Sequence, residues 1–234
     1  MLHILAKLAR DGEARVDAGG VTAVVAAMGQ HAADADVQRH GCGALWNLVG
    51  GDVDAGGVVA VVVAMGRHTE DAEVQRDGCR ALAGLASDDA ALKQAMVDGG
   101  GVGAVVTAMV RHTADAEVQR HGCGALAILA SGDAALKQVG VNGGGVAAVV
   151  AAMDADLQFL GCGALANLAV FGGAACKQAV VDGGGVAVLV AALGQDLLRT
   201  QKCAACALQN LAATTNGAEA LGLAFAARFF SVGS

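Results

Sequence analysis

A chain of 234 residues that is 55% hydrophobic, rich in Ala and Val and only 3% aromatic, can bury a substantial core, but only if its backbone elements approach one another closely. A net charge of −7 and a pI near 5.2 set a potential that disfavours nucleic acid and anionic lipid surfaces, and no Lys or Arg run offsets it. The first residues hold no long apolar segment followed by a small-residue cleavage site. The longest uncharged stretch, residues 159–176, is broken by Gly161, Gly163, Asn167 and the Gly172-Gly173 pair, so neither a secretory signal nor membrane insertion is expected. The expected setting is cytoplasmic or nuclear.

Taken in chain order, residues 3–8 read as the end of a helix that closes a partial repeat, 1–17. A Gly-rich punctuation then recurs about every forty residues: Ala18-Gly19-Gly20-Val21, Ala55-Gly56-Gly57-Val58, Gly99-Gly100-Gly101-Val102, Gly143-Gly144-Gly145-Val146 and Gly183-Gly184-Gly185-Val186. The repeats are bounded at about 18–54, 55–98, 99–142, 143–182 and 183–216, with a C-terminal helix over 217–230. A period of this size specifies a solenoid, because one unit cannot bury its own apolar face and must stack on its neighbours. The repeats run end to end, so a single domain is expected.

The copy spanning residues 87–131 shows the plan most clearly. Residues 88–97 read as a first helix with acids at its start, ended by Gly99 to Gly101. Val102, Val105, Val106 and Met109 form one stripe of a second helix. Asp115 is placed to cap a third, whose core stripe runs Val118, Gly122, Ala125, Leu126 and Leu129. The stripe recurs as Val37/Gly41/Ala44/Leu45/Leu48 and Val74/Gly78/Ala81/Leu82/Leu85. The β-branched run of residues 59–63 also fits a strand, but it lacks period-two alternation. Glycine inside a helix costs about 1 kcal/mol relative to alanine. Its recurrence at Gly41, Gly78, Gly122 and Gly161 therefore predicts close helix approach at those points.

Chemistry-bearing residues divide into those that packing explains and those that face outward. Cys42, Cys79, Cys123 and Cys162 share one repeat position, where stacked neighbours stand too far apart to bridge, and are expected to remain thiols. Cys203 and Cys206 form a lone pair in a helical Ala-rich run and read as structural thiols. His40 and Cys42, like His121 and Cys123, point to different sides of one helix and cannot share an ion. The acid pairs Asp34/Asp36, Asp71/Glu73, Asp115/Glu117 and Asp154/Asp156 sit where helix starts need them. Gly99 to Gly103 loosely matches a dinucleotide fingerprint but follows no strand and reads as a helix break. No metal, cofactor or catalytic constellation is expected, and the chain is not read as an enzyme.

Three helices per repeat, the break before the second, and Ala-Leu-x-Asn-Leu in the third resemble the armadillo repeat. Ala44-Leu45-Trp46-Asn47-Leu48, Ala164-Leu165-Ala166-Asn167-Leu168 and Ala207-Leu208-Gln209-Asn210-Leu211 carry the resemblance. It implies an all-α, right-handed superhelical solenoid whose concave groove, lined by third helices, binds an extended peptide. The Asn ladder stands at Asn47, Asn167 and Asn210, whereas the Trp positions hold Gly43, Arg80, Gly124, Gly163 and Cys206. Lacking aromatic walls, the groove departs from the nuclear-import adaptors of the family. The junction over residues 48–58 is about two helical turns short, so a first helix is expected to be missing there.

The outward third-helix positions make Asn47, Arg80, His40, His121, Asn167 and Asn210 the candidate partner contacts. The Asn amides are suited either to a ligand main chain or to bonds within the solenoid. The expected role is a protein or peptide scaffold. A regulatory region detached from a larger protein and an import-type adaptor are the alternatives. Apolar ends, with Phe225, Phe229 and Phe230 at one of them, imply a segment of a longer array or end-to-end self-association.

Overall fold

The computed structural model describes residues 18–48, 53–87, 89–131, 142, 144–153, 158–171, 173–194, 198–214 and 216–230. Capping side chains and glycines cut this sequence into short segments, and among the described residues each long one is helical. The helices are α1 (Ala18–Gln30), α2 (Ala35–Asn47), α3 (Ala55–Arg67), α4 (Ala72–Leu85), α5 (Ala90–Asp98), α6 (Gly101–Arg111) and α7 (Ala116–Ala130). They continue as α8 (Gly145–Ala152), α9 (Gln158–Phe171), α10 (Gly173–Asp182), α11 (Gly185–Ala192), α12 (Leu198–Leu211) and α13 (Gly217–Phe230). The β-branched run of residues 59–63 lies within α3, so burial of one helical face overrides its strand propensity. The chain gathers into two units, Met1–Ala125 and Leu126–Ser234, which part within α7.

Aspartates start the helices as the sequence reading expects. Asp71 accepts from the backbone N–H groups of Glu73 and Val74, both at 3.0 Å, and Asp115 accepts from Glu117 and Val118 at the same distance. Asp34, Asp54 and Asp89 do the same for α2, α3 and α5. These bonds satisfy N–H groups that a helix start leaves unpaired. Asp154 and Asp156 lie outside the described residues, as do residues 3–8.

The Gly-rich punctuation works in two ways, and for the early repeats this corrects its reading as a break. In α1 and α3 the Gly-Gly pair lies inside the first helical turn. Leu48, Val53 and Asp54 are non-helical and Asp54 caps α3 at once; the rest of that junction lies outside the described residues. In the later repeats Gly100, Gly144 and Gly184 stand at φ of 81°, 83° and 81° immediately before α6, α8 and α11. Only two residues separate α5 from α6, and a left-handed glycine makes that reversal without a Cβ clash.

In the first unit α2 packs on α4, α1 on α2, and α3 on both α4 and α5; in the second, α9 packs on α12, and α11 on α12 and α13. The predicted stripe is the core: Val74, Cys79, Ala81 and Leu82 are fully buried, as are Cys42, Ala44 and Leu45 one repeat earlier. The close approach expected at the stripe glycines has a specific cause. A Cβ on Gly41, Gly78 or Gly122 would fall 2.5 Å from the Cγ of Met28, Met65 or Met109, and one on Gly161 would fall 2.6 Å from that of Met153. Each of these four third helices thus accepts a methionine from the end of the second helix before it, which offsets the helix cost of the glycine.

Candidate partner-binding site

The outward face of the third helices is built from residues beside the core stripe, and in the first unit it is a continuous polar surface. His40, Asp77 and His121 occupy one position on α2, α4 and α7, and all are half-buried. Asp77 accepts from Arg76 at 3.5 Å and forms an ion pair with Arg80 at 3.6 Å, with its carboxylate only 14% exposed. The Arg80 guanidinium also lies 5.6 Å from the ring centre of Trp46 on the preceding third helix. This cation–π contact joins a predicted contact residue to an aromatic outside the Trp-ladder register. A second bridge runs alongside: Arg39 reaches Glu73 of α4 at 3.0 Å and Asp36 of its own helix at 3.3 Å.

The histidines are held by neighbouring arginines. Arg39 lies 3.3 Å from His40 Nε2, and Arg120 lies 3.1 Å from His121 Nε2. A guanidinium can only donate, so both imidazole nitrogens accept. Burial, with the Arg120 charge beside it, pushes His121 down to about 4, and Glu117 opposes this only in part. Glu117 is itself held below the usual carboxylate range by its hydrogen bond from Arg120. His121 is therefore a neutral acceptor on this face near pH 7. Asn47 completes the surface, half-buried in the last turn of α2.

In the second unit the same positions behave differently. Asn167 donates to the Ala127 carbonyl at 3.3 Å, and Asn210 donates to the Cys206 carbonyl of its own helix at 2.9 Å. Each ladder amide thus has one donor committed to backbone within the fold. Cys203 is half-buried, whereas Cys206 is exposed, which corrects its reading as a packed structural thiol. Cys203 and Cys206 stand at the repeat positions of His40 and Gly43, one face of α12 beside the buried stripe of Thr200, Ala204, Ala207 and Leu208. The shared-position cysteines are buried free thiols: burial pushes Cys79 and Cys162 up to about 12, assisted by Cys123 and Cys203 respectively, and raises Cys42 as well. Among the described residues no group of three or more His, Cys, Asp or Glu side chains is placed to hold a metal ion.

Two sets of polar residues escaped the sequence reading. Gln38, Gln75 and Gln119 each donate to two carbonyls at the end of the preceding second helix; for Gln75 these are Met65 at 2.9 Å and His68 at 2.8 Å. His68 and His112 reach back one repeat, bonding the Ala32 and Thr69 carbonyls at 2.9 Å. Their signal was available: a Gln stands three residues before every stripe glycine, and a His three residues before each capping Asp of the first three repeats.

No protein-family profile matches the chain, and no curated protein is significantly similar to it. Solved structures are. An engineered protein is 35% identical with a TM-score of 0.78, over 90% of this chain and 89% of the other. A longer engineered protein, also 35% identical, superposes with a TM-score of 0.81 over 96% of this chain, which spans 56% of it. A designed armadillo repeat protein in complex with the peptide (KR)4 is 19% identical, with a TM-score of 0.73 over 90% and 91% of the two chains.

Proposed function

This chain belongs to the armadillo-like repeat proteins, an all-α solenoid fold, and from that premise we propose that it is an interaction scaffold binding an extended peptide along its outward third-helix positions. The observation that carries the reading is the fold shared with a designed armadillo protein that holds a peptide. The outward face of the first unit supports it. Trp46 and Arg80 form a flat cationic wall, and Asp36 and Glu73 present exposed acids. Asn167 and Asn210 each retain a carbonyl oxygen and a second N–H for a ligand main chain. The partner is a protein or peptide rather than nucleic acid, in keeping with the net charge of −7. Buried free thiols accord with a cytoplasmic or nuclear setting.

Selection of random displayed peptides on the full chain tests the proposal. Trp46→Ala and Arg80→Ala are expected to weaken the recovered peptides about tenfold or more, and Asn167→Ala with Asn210→Ala to weaken peptides that engage the second unit. Peptides whose affinity is unmoved by all four changes would reject the third-helix face as the binding surface.

A further inference from the structure

The side of the first unit built from second helices carries a feature independent of the third-helix reading. Between α1 and α3 lies an apolar cavity of about 350 Å³, and one repeat on, between α3 and α6, lies its counterpart of about 260 Å³. They are one site written twice: Met28, Gln38 and Gly56 line the first where Met65, Gln75 and Gly100 line the second. In both, the glutamine's two N–H donors are spent on the carbonyls of the adjoining helix end, which leaves a mostly apolar lining. Volumes at or below the low end of small-molecule pockets suit a single side chain better than a cofactor.

The rims differ, and the difference selects the occupant. Along α3, Val59, Val63 and Arg67 follow at successive turns on the wall of the first cavity, the two valines 44% and 49% exposed. Arg111 stands at the equivalent place one repeat later and forms an ion pair with Glu70 of the preceding repeat. The residue equivalent to Glu70 for Arg67 is Ala33, and among the described residues no carboxylate pairs with Arg67. The fold neutralises one rim cation and leaves the other to a ligand. We infer that the α1/α3 cavity is a docking site for a partner segment that carries an apolar side chain beside an acidic one. The apolar group fills the space lined by Val59, Val63 and Met28, and the carboxylate meets Arg67.

The full chain, titrated into a fluorescein-labelled peptide with one leucine between two glutamates in a Gly/Ser background, provides the test by anisotropy. Saturable binding is expected, weakened at least tenfold by Arg67→Glu and abolished by Ala60→Trp, which fills the cavity. A peptide with lysines in place of glutamates is expected to bind the Arg67→Glu chain better than the unaltered one, while Arg80→Ala and Arg111→Glu leave binding unchanged. Arg67→Glu alters an exposed side chain, so it reads the site even where Ala60→Trp disturbs folding. Absence of saturable binding, or binding indifferent to Arg67→Glu, overturns the inference. So does loss in Arg80→Ala with retention in Arg67→Glu, which assigns the peptide to the third-helix face.

Discussion

Gln75 in the first unit and Gln158 in the second stand at the same distance before their stripe glycines, yet among the described residues their amides are bonded differently. Gln75 closes two carbonyls at the end of α3, whereas Oε1 of Gln158 is buried without a partner among the described residues. The second helices explain the difference. In the first unit they run 13, 13 and 11 residues, and in the second, 8 and 8. The shorter helices lengthen the bond: Gln201, at the same repeat position, reaches the Leu193 carbonyl at the end of α11 at 3.4 Å, against 2.9 and 2.8 Å for the two bonds of Gln75. The apolar contact survives the same shortening: Met153, just past the end of α8, still fills the space over Gly161. An unbranched thioether finds its groove from a shifted backbone, while a hydrogen bond needs its distance and angle held. Packing is thus the tolerant part of this repeat and polar stitching the exacting part.

The largest test of that contrast is Met65→Ala. It should cost about 3 kcal/mol in chemical denaturation, because the side chain is fully buried over Gly78. Met153→Ala, at a half-buried position, should cost distinctly less. Equal costs would break the comparison. Next, Gln75→Ala should destabilise by about 2 kcal/mol by leaving two carbonyls unpaired, whereas Gln158→Ala should be close to neutral. Thr200→Val should stabilise the second unit by about 1 kcal/mol. Its hydroxyl is fully buried without a partner among the described residues, where the equivalent residues Val37, Val74 and Val118 are apolar. A lower melting temperature for this variant would mean that the hydroxyl is satisfied in solution.

The smallest effect is a pH dependence. His121 is held at about 4 in the folded chain against an ordinary value near 6.5. The unfolded chain therefore binds the proton more readily between those values, and stability falls as pH drops from about 6.5 toward 4. Asp77, Arg80, Glu117 and Arg120 all act on the ring, so His121→Gln should flatten this slope without abolishing it. Urea midpoints at pH 7, 5.5 and 4.5 compare the two chains.

The repeat plan was legible because the same stripe is written several times. Val74, Gly78, Ala81, Leu82 and Leu85 need only helical periodicity to be placed in the core, and Asp71 needs only its position before that stripe. The cost of a mid-helix Gly78 announced a close neighbour, but not that Met65 would be the one. The reach of Gln75 to a carbonyl ten residues earlier depends on the turn between two helices, which spacing alone does not specify. The site was read less completely. The outward positions of His40, Arg80 and His121 followed from the helical wheel, but the seating of Arg80 on Trp46 joins side chains of different repeats. The cavity beside Arg67 depends on comparing Ala33 with Glu70 once Arg111 is seen to pair.

The left-handed glycines before α6, α8 and α11 agree in φ to within a few degrees, and each hands the chain into the next helix with the same local geometry. They are interchangeable seams. A segment copied from one such glycine to the next would enter and leave its neighbours as the original does, so an array of this kind can change its length by duplication without re-engineering the joints. The two repeats that open on Ala-Gly-Gly lack that seam, and there the number of repeats is harder to alter.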